Sequence, residues 1–159
     1  MRAVWTSGLI ALVLFTGLAW YLSPLEPGVV ALQFAHTPAA FGEILSLWSA
    51  EDLLRYRRHL PVDFLLLAAY GAFGHLLVTR TRTWGSGSDS LRRLASWLLP
   101  LAAFFDAAEN VLHGWLIEGP RLGVPFLYSA SAACSLLKWV LIVGFGLLMI
   151  HGLVRQRRQ

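Results

Sequence analysis

Cysteine and charge are both scarce in this chain. Cys134 is the single cysteine, which excludes an internal disulfide and any metal site built from several thiolates. Only 14% of the residues are Asp, Glu, Lys or Arg, whereas soluble domains average about 25%. Because hydrophobic residues make up 57% of the sequence, the composition indicates an integral membrane protein, with residues 1–159 forming one membrane domain.

Four apolar runs are each close to the roughly twenty residues that a helix needs to cross the hydrocarbon core of a bilayer. They cover residues 3–22, 62–79, 94–116 and 126–153. The first run ends in aromatic residues and no small-residue cleavage site follows it, so we expect a retained span rather than a signal peptide. The pattern predicts an all-α fold, an integral membrane four-helix bundle.

The segment 23–61 is too polar to span a membrane, and we predict that it forms an outer lid containing short amphipathic helices. Residues 29–35 are rich in β-prone side chains, which favours an extended strand there. Thr37 followed by Pro38 is typical of an N-cap and a first helical position, and it predicts a short helix through Trp48.

A second short lid helix is predicted directly after the first. Ser49 followed by Glu51 and Asp52 resembles a helix N-cap with acidic residues in the first turn. A run of arginines ending at Arg58 is expected to close this helix before the second span begins. We therefore expect two short helices lying on the outer membrane surface.

Arginine is distributed unevenly among the connections. Eight arginines lie at the N-terminus, in the loop 80–93 and in the C-terminal tail, whereas the two other connections carry four. The positive-inside rule then places both termini and the loop 80–93 in the cytoplasm of a bacterial inner membrane, with the lid outside. Because the basic residues flank apolar runs, we predict membrane lipids as partners and no nucleic acid.

The third apolar run carries four polar side chains, Asp106, Glu109, Asn110 and His113. Their offsets of three, four and seven residues place them on one face of a helix. An ionisable side chain near the bilayer centre costs several kcal/mol, so other groups must offset that cost. Neighbouring small residues predict either close helix packing or a modest cavity behind this face.

The second and fourth spans offer further polar groups at matching depths. Asp63 and Tyr70 share a face of the second span, and Ser131, Ser135 and Lys138 share a face of the fourth. Lys138 is the only lysine, and the sequence predicts that it pairs with Asp106 of the third span, which leaves Glu109 to stay protonated or to bind a ligand. The structural alternative is that these groups serve only as interhelical glue.

We interpret these polar residues as an outward-opening site for a small or lipid-like ligand. The protein would bind this ligand, and as an enzyme it would also transform it. Asp106 or Glu109 would exchange a proton, oriented by Lys138 and Asn110. The expected ligand-binding set is Asp63, Tyr70, Asn110, His113, Ser131, Ser135 and Lys138. Whether the protein is an enzyme stays open.

Two other classes of function use the same residues differently. A proton-coupled exporter of small molecules would use the same carboxylates, but four spans are few, so it would need a homodimer. An accessory subunit of a larger membrane complex would need no cavity and would present a contiguous patch to its partner.

No cofactor is predicted. A divalent cation held by Asp106, Glu109 and His113 is the alternative occupant of the acidic face. We expect no haem, because His75 and His113 lie toward opposite ends of their spans and cannot ligate one iron together. The sequence also contains no phosphate-binding loop, dinucleotide fingerprint or Ser-His-Asp signature.

Asp63, the Asp106-x-x-Glu109-Asn110 motif and Lys138 together resemble a loose set of uncharacterised bacterial four-span membrane proteins. In that set a Trp-containing outer segment precedes an Asp-bearing second span, a D-x-x-E-N third span and a lysine in the fourth. The resemblance covers most of residues 30–140. It implies a membrane protein with a shared polar centre and no assigned activity.

Overall fold

The computed structural model describes residues 1–81, 89–119 and 122–157, and these form helices and connections without a strand. The prediction of an all-α fold is therefore confirmed. The helices are α1 (Arg2–Leu22), α2 (Val29–Gln33), α3 (Pro38–Leu47), α4 (Ala50–Arg80), α5 (Asp89–Leu116) and α6 (Pro125–Arg157).

Three helices of the described chain, α1, α4 and α6, are long and apolar enough to cross a membrane. Helix α5 has 28 residues, which is long enough to cross a membrane. Its polar residues make it less hydrophobic than these three helices, so it is not counted among them. Those polar groups, Asp106, Glu109, Asn110 and His113, are buried inside the protein. Burial against protein rather than lipid is the arrangement that makes an acidic helix compatible with a membrane.

The four long helices pack in the order of the sequence. Helix α1 packs on α4, α4 on α5, and α5 on α6. The contact between α4 and α5 is close because Gly74 faces Leu99. A Cβ atom on Gly74 would lie 2.6 Å from the Leu99 side chain, so only glycine allows this approach.

The lid covers one end of this bundle and has its own apolar core. This core contains five buried side chains from four helices and their ends. They are Leu32 of α2, Phe41 of α3, Trp48 at the end of α3, Tyr56 of α4 and Tyr128 of α6. Burial of large aromatic side chains is the main contribution that holds the lid in place.

Both predicted helix starts in the lid are confirmed. The Thr37 hydroxyl accepts a hydrogen bond from the Ala40 backbone N–H at 3.1 Å, and Pro38 is the first helical residue. Ser49 and Asp52 form a reciprocal capping box, in which each side chain accepts a hydrogen bond from the other residue's backbone N–H.

Two predictions for the lid are wrong. The segment predicted to be extended forms α2, because Gly28 starts a helix whose valines lie in the first turn, where no preceding turn crowds them. The second short helix does not end at Arg58 but continues through Pro61 as α4. Tyr56, His59 and Leu60 are buried just before the proline, and this packing outweighs the one backbone hydrogen bond that proline removes.

Parts of the predicted cytoplasmic regions lie outside the described residues. These are residues 82–88 of the loop 80–93 and the side chains of the basic tail. In the described part α5 already includes Asp89, so Arg92 and Arg93 belong to this helix rather than to a loop. Arg92 donates hydrogen bonds to the last carbonyls of α4, at Val78 and Thr79, and so helps to end that helix.

Candidate functional site

The polar centre of the protein is built around Lys138 of α6. Its ammonium nitrogen lies 2.8 Å from Asp106 Oδ1 and 2.8 Å from Glu109 Oε2, and the residue is only 4% exposed. The predicted pairing of Lys138 with Asp106 is confirmed. Glu109 is an equally close partner, so one amine bridges two carboxylates that lie one turn apart on α5.

Two hydrogen bonds between side chains join α4 to α5. The Asn110 amide donates a hydrogen bond to Asp63 Oδ2 at 2.6 Å, and the Tyr70 hydroxyl donates one to Asp106 Oδ2 at 3.1 Å. Asp63 and Tyr70 lie two turns apart on one face of α4, as their spacing predicts. These two bonds connect the Lys138 ion pairs to the surface of α4.

His113 lies behind this centre, toward the lid. Its Nδ1 atom is 2.6 Å from the Tyr56 hydroxyl and 3.9 Å from Glu109 Oε1, and its ring packs against Phe41 with a centroid distance of 5.5 Å. Its Nε2 atom is buried without a hydrogen-bond partner among the described residues. The environment of His113 is therefore closed and aromatic.

Tyr56 is a site residue that was not predicted from the sequence. Tyr56, Asp63 and Tyr70 are spaced by seven residues, which places all three on one face of α4. That signal was available, but it was hidden by the expectation that the helix ends before Pro61.

Ser131 and Ser135 line the opposite wall of the interior, on α6. The Ser135 hydroxyl donates a hydrogen bond to the Ser131 carbonyl at 3.1 Å, and the Ser131 hydroxyl is buried without a partner within the described residues. Both serines, together with Glu109 and His113, lie on the closed side of Lys138 and do not line the cavity described next.

A large groove opens on the other side of the polar centre, between α1 and α6. Its volume is about 1150 Å³. Apolar side chains such as Leu12, Phe15 and Ile142 form most of its walls, and Gln33 of α2 closes one end by accepting a hydrogen bond from Trp139 at 3.2 Å. The polar residues on its floor are Tyr56, His59, Asp63, Tyr70, Asp106, Asn110 and Lys138.

The structure thus divides the sequence-predicted site into two groups. Asp63, Tyr70, Asp106, Asn110 and Lys138 face the groove, whereas the remaining predicted residues are enclosed. The enclosed group is Glu109, His113, Ser131 and Ser135. The groove itself requires α1, whose apolar sequence carries no sign of a site.

Acidic groups outnumber basic ones in the connected cluster. Asp63, Asp106 and Glu109 supply three carboxyl groups, and Lys138 supplies one amine. If all four were ionised the cluster would carry a net charge of −2, which is costly inside a membrane. A proton or a cationic group of a ligand would relieve that excess.

The divalent-cation hypothesis gains no support from this geometry. Among the residues that the structure describes, no group of three or more His, Cys, Asp or Glu side chains is arranged to hold a metal ion. The Lys138 ammonium lies between Asp106 and Glu109, where a cation shared by these carboxylates would bind.

No family model, no curated protein and no solved structure matches this chain.

Proposed function

We propose that this protein binds an amphipathic, lipid-like molecule within the membrane. The observation that carries the proposal is that one groove joins apolar walls to a charged floor. The walls between α1 and α6 fit a hydrocarbon chain, and Asp63, Asp106 and Lys138 offer charge and hydrogen bonds to a polar end. Concave sites with apolar walls and a few convergent polar groups are the usual form of small-molecule sites.

Within this proposal Asp106 is the residue for proton exchange, because it lies on the groove floor between Tyr70 and Lys138. Glu109 is only 1% exposed and holds Lys138 from behind, so it acts as a positioning residue. Proton exchange by Asp106 stays a prediction, and a binding protein needs none.

The membrane arrangement is also part of the proposal. α5 would cross as a fourth span in a bacterial inner membrane, with both termini in the cytoplasm, as the arginine distribution favours. In a Cys134→Ser background, a cysteine at Glu43 should react with an impermeant maleimide in intact cells. A cysteine at Arg2 should react only after permeabilisation. The opposite labelling pattern would overturn this orientation.

Two glycines of α6 provide a matched test of binding in the groove. A Cβ atom at Gly146 or at Gly144 meets nothing within 4 Å, so a side chain can start from either position without a clash at its Cβ atom. Gly146 lines the groove and Gly144 does not. Gly146→Phe should therefore fill part of the groove, and Gly144→Phe is the control with the same change in composition.

Native mass spectrometry of gently purified protein measures the outcome. We expect the wild-type protein and Gly144→Phe to retain an amphipathic molecule, and Gly146→Phe to retain at least about tenfold less. Equal retention by all three proteins, or a wild-type protein without any bound molecule, would contradict the proposal. A stable dimer that carries no bound molecule and supports proton-linked flux would favour the exporter. A chain that is unstable when purified alone would favour the accessory subunit.

A further inference from the structure

Each hydrogen-bond donor group of Tyr70, Asn110 and Lys138 on the groove floor already binds a carboxylate of the protein. The Tyr70 hydroxyl donates to Asp106, the Asn110 amide donates to Asp63, and the Lys138 ammonium lies between Asp106 and Glu109. These donors hold the carboxylates in place from the interior side. A polar group that enters from the groove therefore meets few free donors.

Some hydrogen-bond acceptors on the groove floor, in contrast, have no donor from the protein. Asp63 is half-buried and accepts one hydrogen bond, at Oδ2, so Oδ1 has no partner in the part of the chain that the structure describes. A carboxylate has about four acceptor positions. Asp63 thus presents a carboxylate oxygen to the groove with most of its capacity unused.

His59 supplies a second acceptor one helical turn before Asp63. It lines the groove, is 5% exposed, and its Nδ1 atom is hydrogen-bonded to the Tyr56 carbonyl oxygen. Because a carbonyl oxygen only accepts, Nδ1 must carry the hydrogen, and in the neutral ring Nε2 is then an acceptor. No described residue donates to this Nε2 atom.

From this placement we propose that the groove selects an amphipath with a primary ammonium head group, a long-chain amine. The ammonium donates to Asp63 Oδ1 and His59 Nε2, and the hydrocarbon chain lies between α1 and α6. Its positive charge offsets the acidic excess of the cluster. This inference rests on the proposed function and specifies the chemistry of the ligand's polar end.

Other head groups fit the same floor less well. An anionic head would bring a further negative charge beside Asp63 and Asp106, where few donors are free to receive it. An alcohol supplies one hydrogen bond without charge, and a quaternary ammonium supplies charge without an N–H donor. Charge-assisted hydrogen bonds are roughly twice as strong as neutral ones, so the primary amine should bind best.

Competition among probes of equal chain length tests the inference on the wild-type protein. Binding of tritiated dodecylamine to purified, immobilised protein is measured by scintillation proximity at pH 7. Dodecylamine should compete at least about tenfold better than dodecanol and dodecanoate, with dodecyltrimethylammonium between them. Dodecanol or dodecanoate competing as well as dodecylamine would overturn the inference.

An isosteric pair of variants locates the recognition. Asp63→Asn removes one negative charge from the groove floor, and Glu51→Gln removes a negative charge from an exposed side chain that pairs with Arg55 and does not line the groove. Asp63→Asn should weaken dodecylamine binding about tenfold and leave dodecanol unchanged, whereas Glu51→Gln should change neither. An equal loss for both probes in Asp63→Asn would assign Asp63 a structural role and contradict the inference.

The two proposals fail differently. If none of the four probes binds to the wild-type protein, the proposed function fails together with the inference. If dodecanol and dodecylamine bind equally and Gly146→Phe abolishes both, the groove binds amphipaths and only the choice of head group is wrong. The wild-type series decides this even if Asp63→Asn does not fold.

Discussion

Polar residues lie on two sides of Lys138, and the two sides differ in how far these residues are enclosed. Toward α5 and the lid, Glu109 and His113 are enclosed among aromatic side chains and serines, each about 1% exposed. Toward α1, Asp63 and Tyr70 are half-buried and face an apolar groove of about 1150 Å³. One lysine thus stabilises enclosed contacts between helices on one side and faces the proposed ligand site on the other.

Lys138→Met should have the largest effect, because it acts on both sides at once. It leaves Asp106 and Glu109 buried without their cation, and breaking a buried pair by removing one partner costs about 3–5 kcal/mol. The free energy of unfolding in SDS titrations of the reconstituted protein should fall accordingly. The double variant Lys138→Met/Asp106→Asn should recover part of the loss; simple additivity would reject the coupling.

Removing a carboxylate on the enclosed side of Lys138 should lower the free energy of unfolding more than removing one on the groove side. Glu109→Gln removes an enclosed partner of Lys138 and should lower the free energy of unfolding by about 1–3 kcal/mol. Asp63→Asn lies at the groove surface, keeps an oxygen for Asn110, and should stay within about 0.5 kcal/mol of wild type. The same SDS titrations measure both variants. If Asp63→Asn were the more destabilising change, the two sides would not differ as described.

The smallest effect is expected at the end of the groove. Trp139→Phe removes the hydrogen bond to Gln33 and should cost about 1 kcal/mol locally. Hydrogen–deuterium exchange of α2 should become faster while exchange of α3 stays unchanged. Trp20→Phe is the control, since Trp20 is 79% exposed and does not line the groove. Faster exchange throughout the lid would instead mean that Trp139 supports the whole lid.

The parts of the fold that depend on neighbouring residues could be predicted from the sequence. The caps at Thr37 and Ser49 depend on residues three positions away, and the shared face of Asp106, Glu109, Asn110 and His113 depends on helical spacing. The continuation of α4 through Pro61 could not be predicted, because it depends on tertiary burial of Tyr56 and its neighbours.

The candidate site was predicted less completely than the fold. Residue type and depth indicate that Lys138 can meet Asp106, but they do not tell which side of the pair is open. That depends on α1 packing on α4 while leaving a gap beside α6, and the apolar residues of α1 suit lipid, protein and a ligand chain equally. Gly74 shows the same limit, because its role depends on Leu99 of another helix.

The unbroken course of α4 has a consequence for the choice of membrane. Its 31 residues make a rod about 46 Å long at about 1.5 Å per residue, whereas the hydrocarbon core is about 30 Å thick. In the proposed membrane arrangement, the excess of about ten residues would hold Tyr56 and the lid above the acyl chains. The height of the lid would then be matched to one bilayer thickness, and a thicker or thinner membrane would tilt α4 and shift the lid relative to the lipid headgroups.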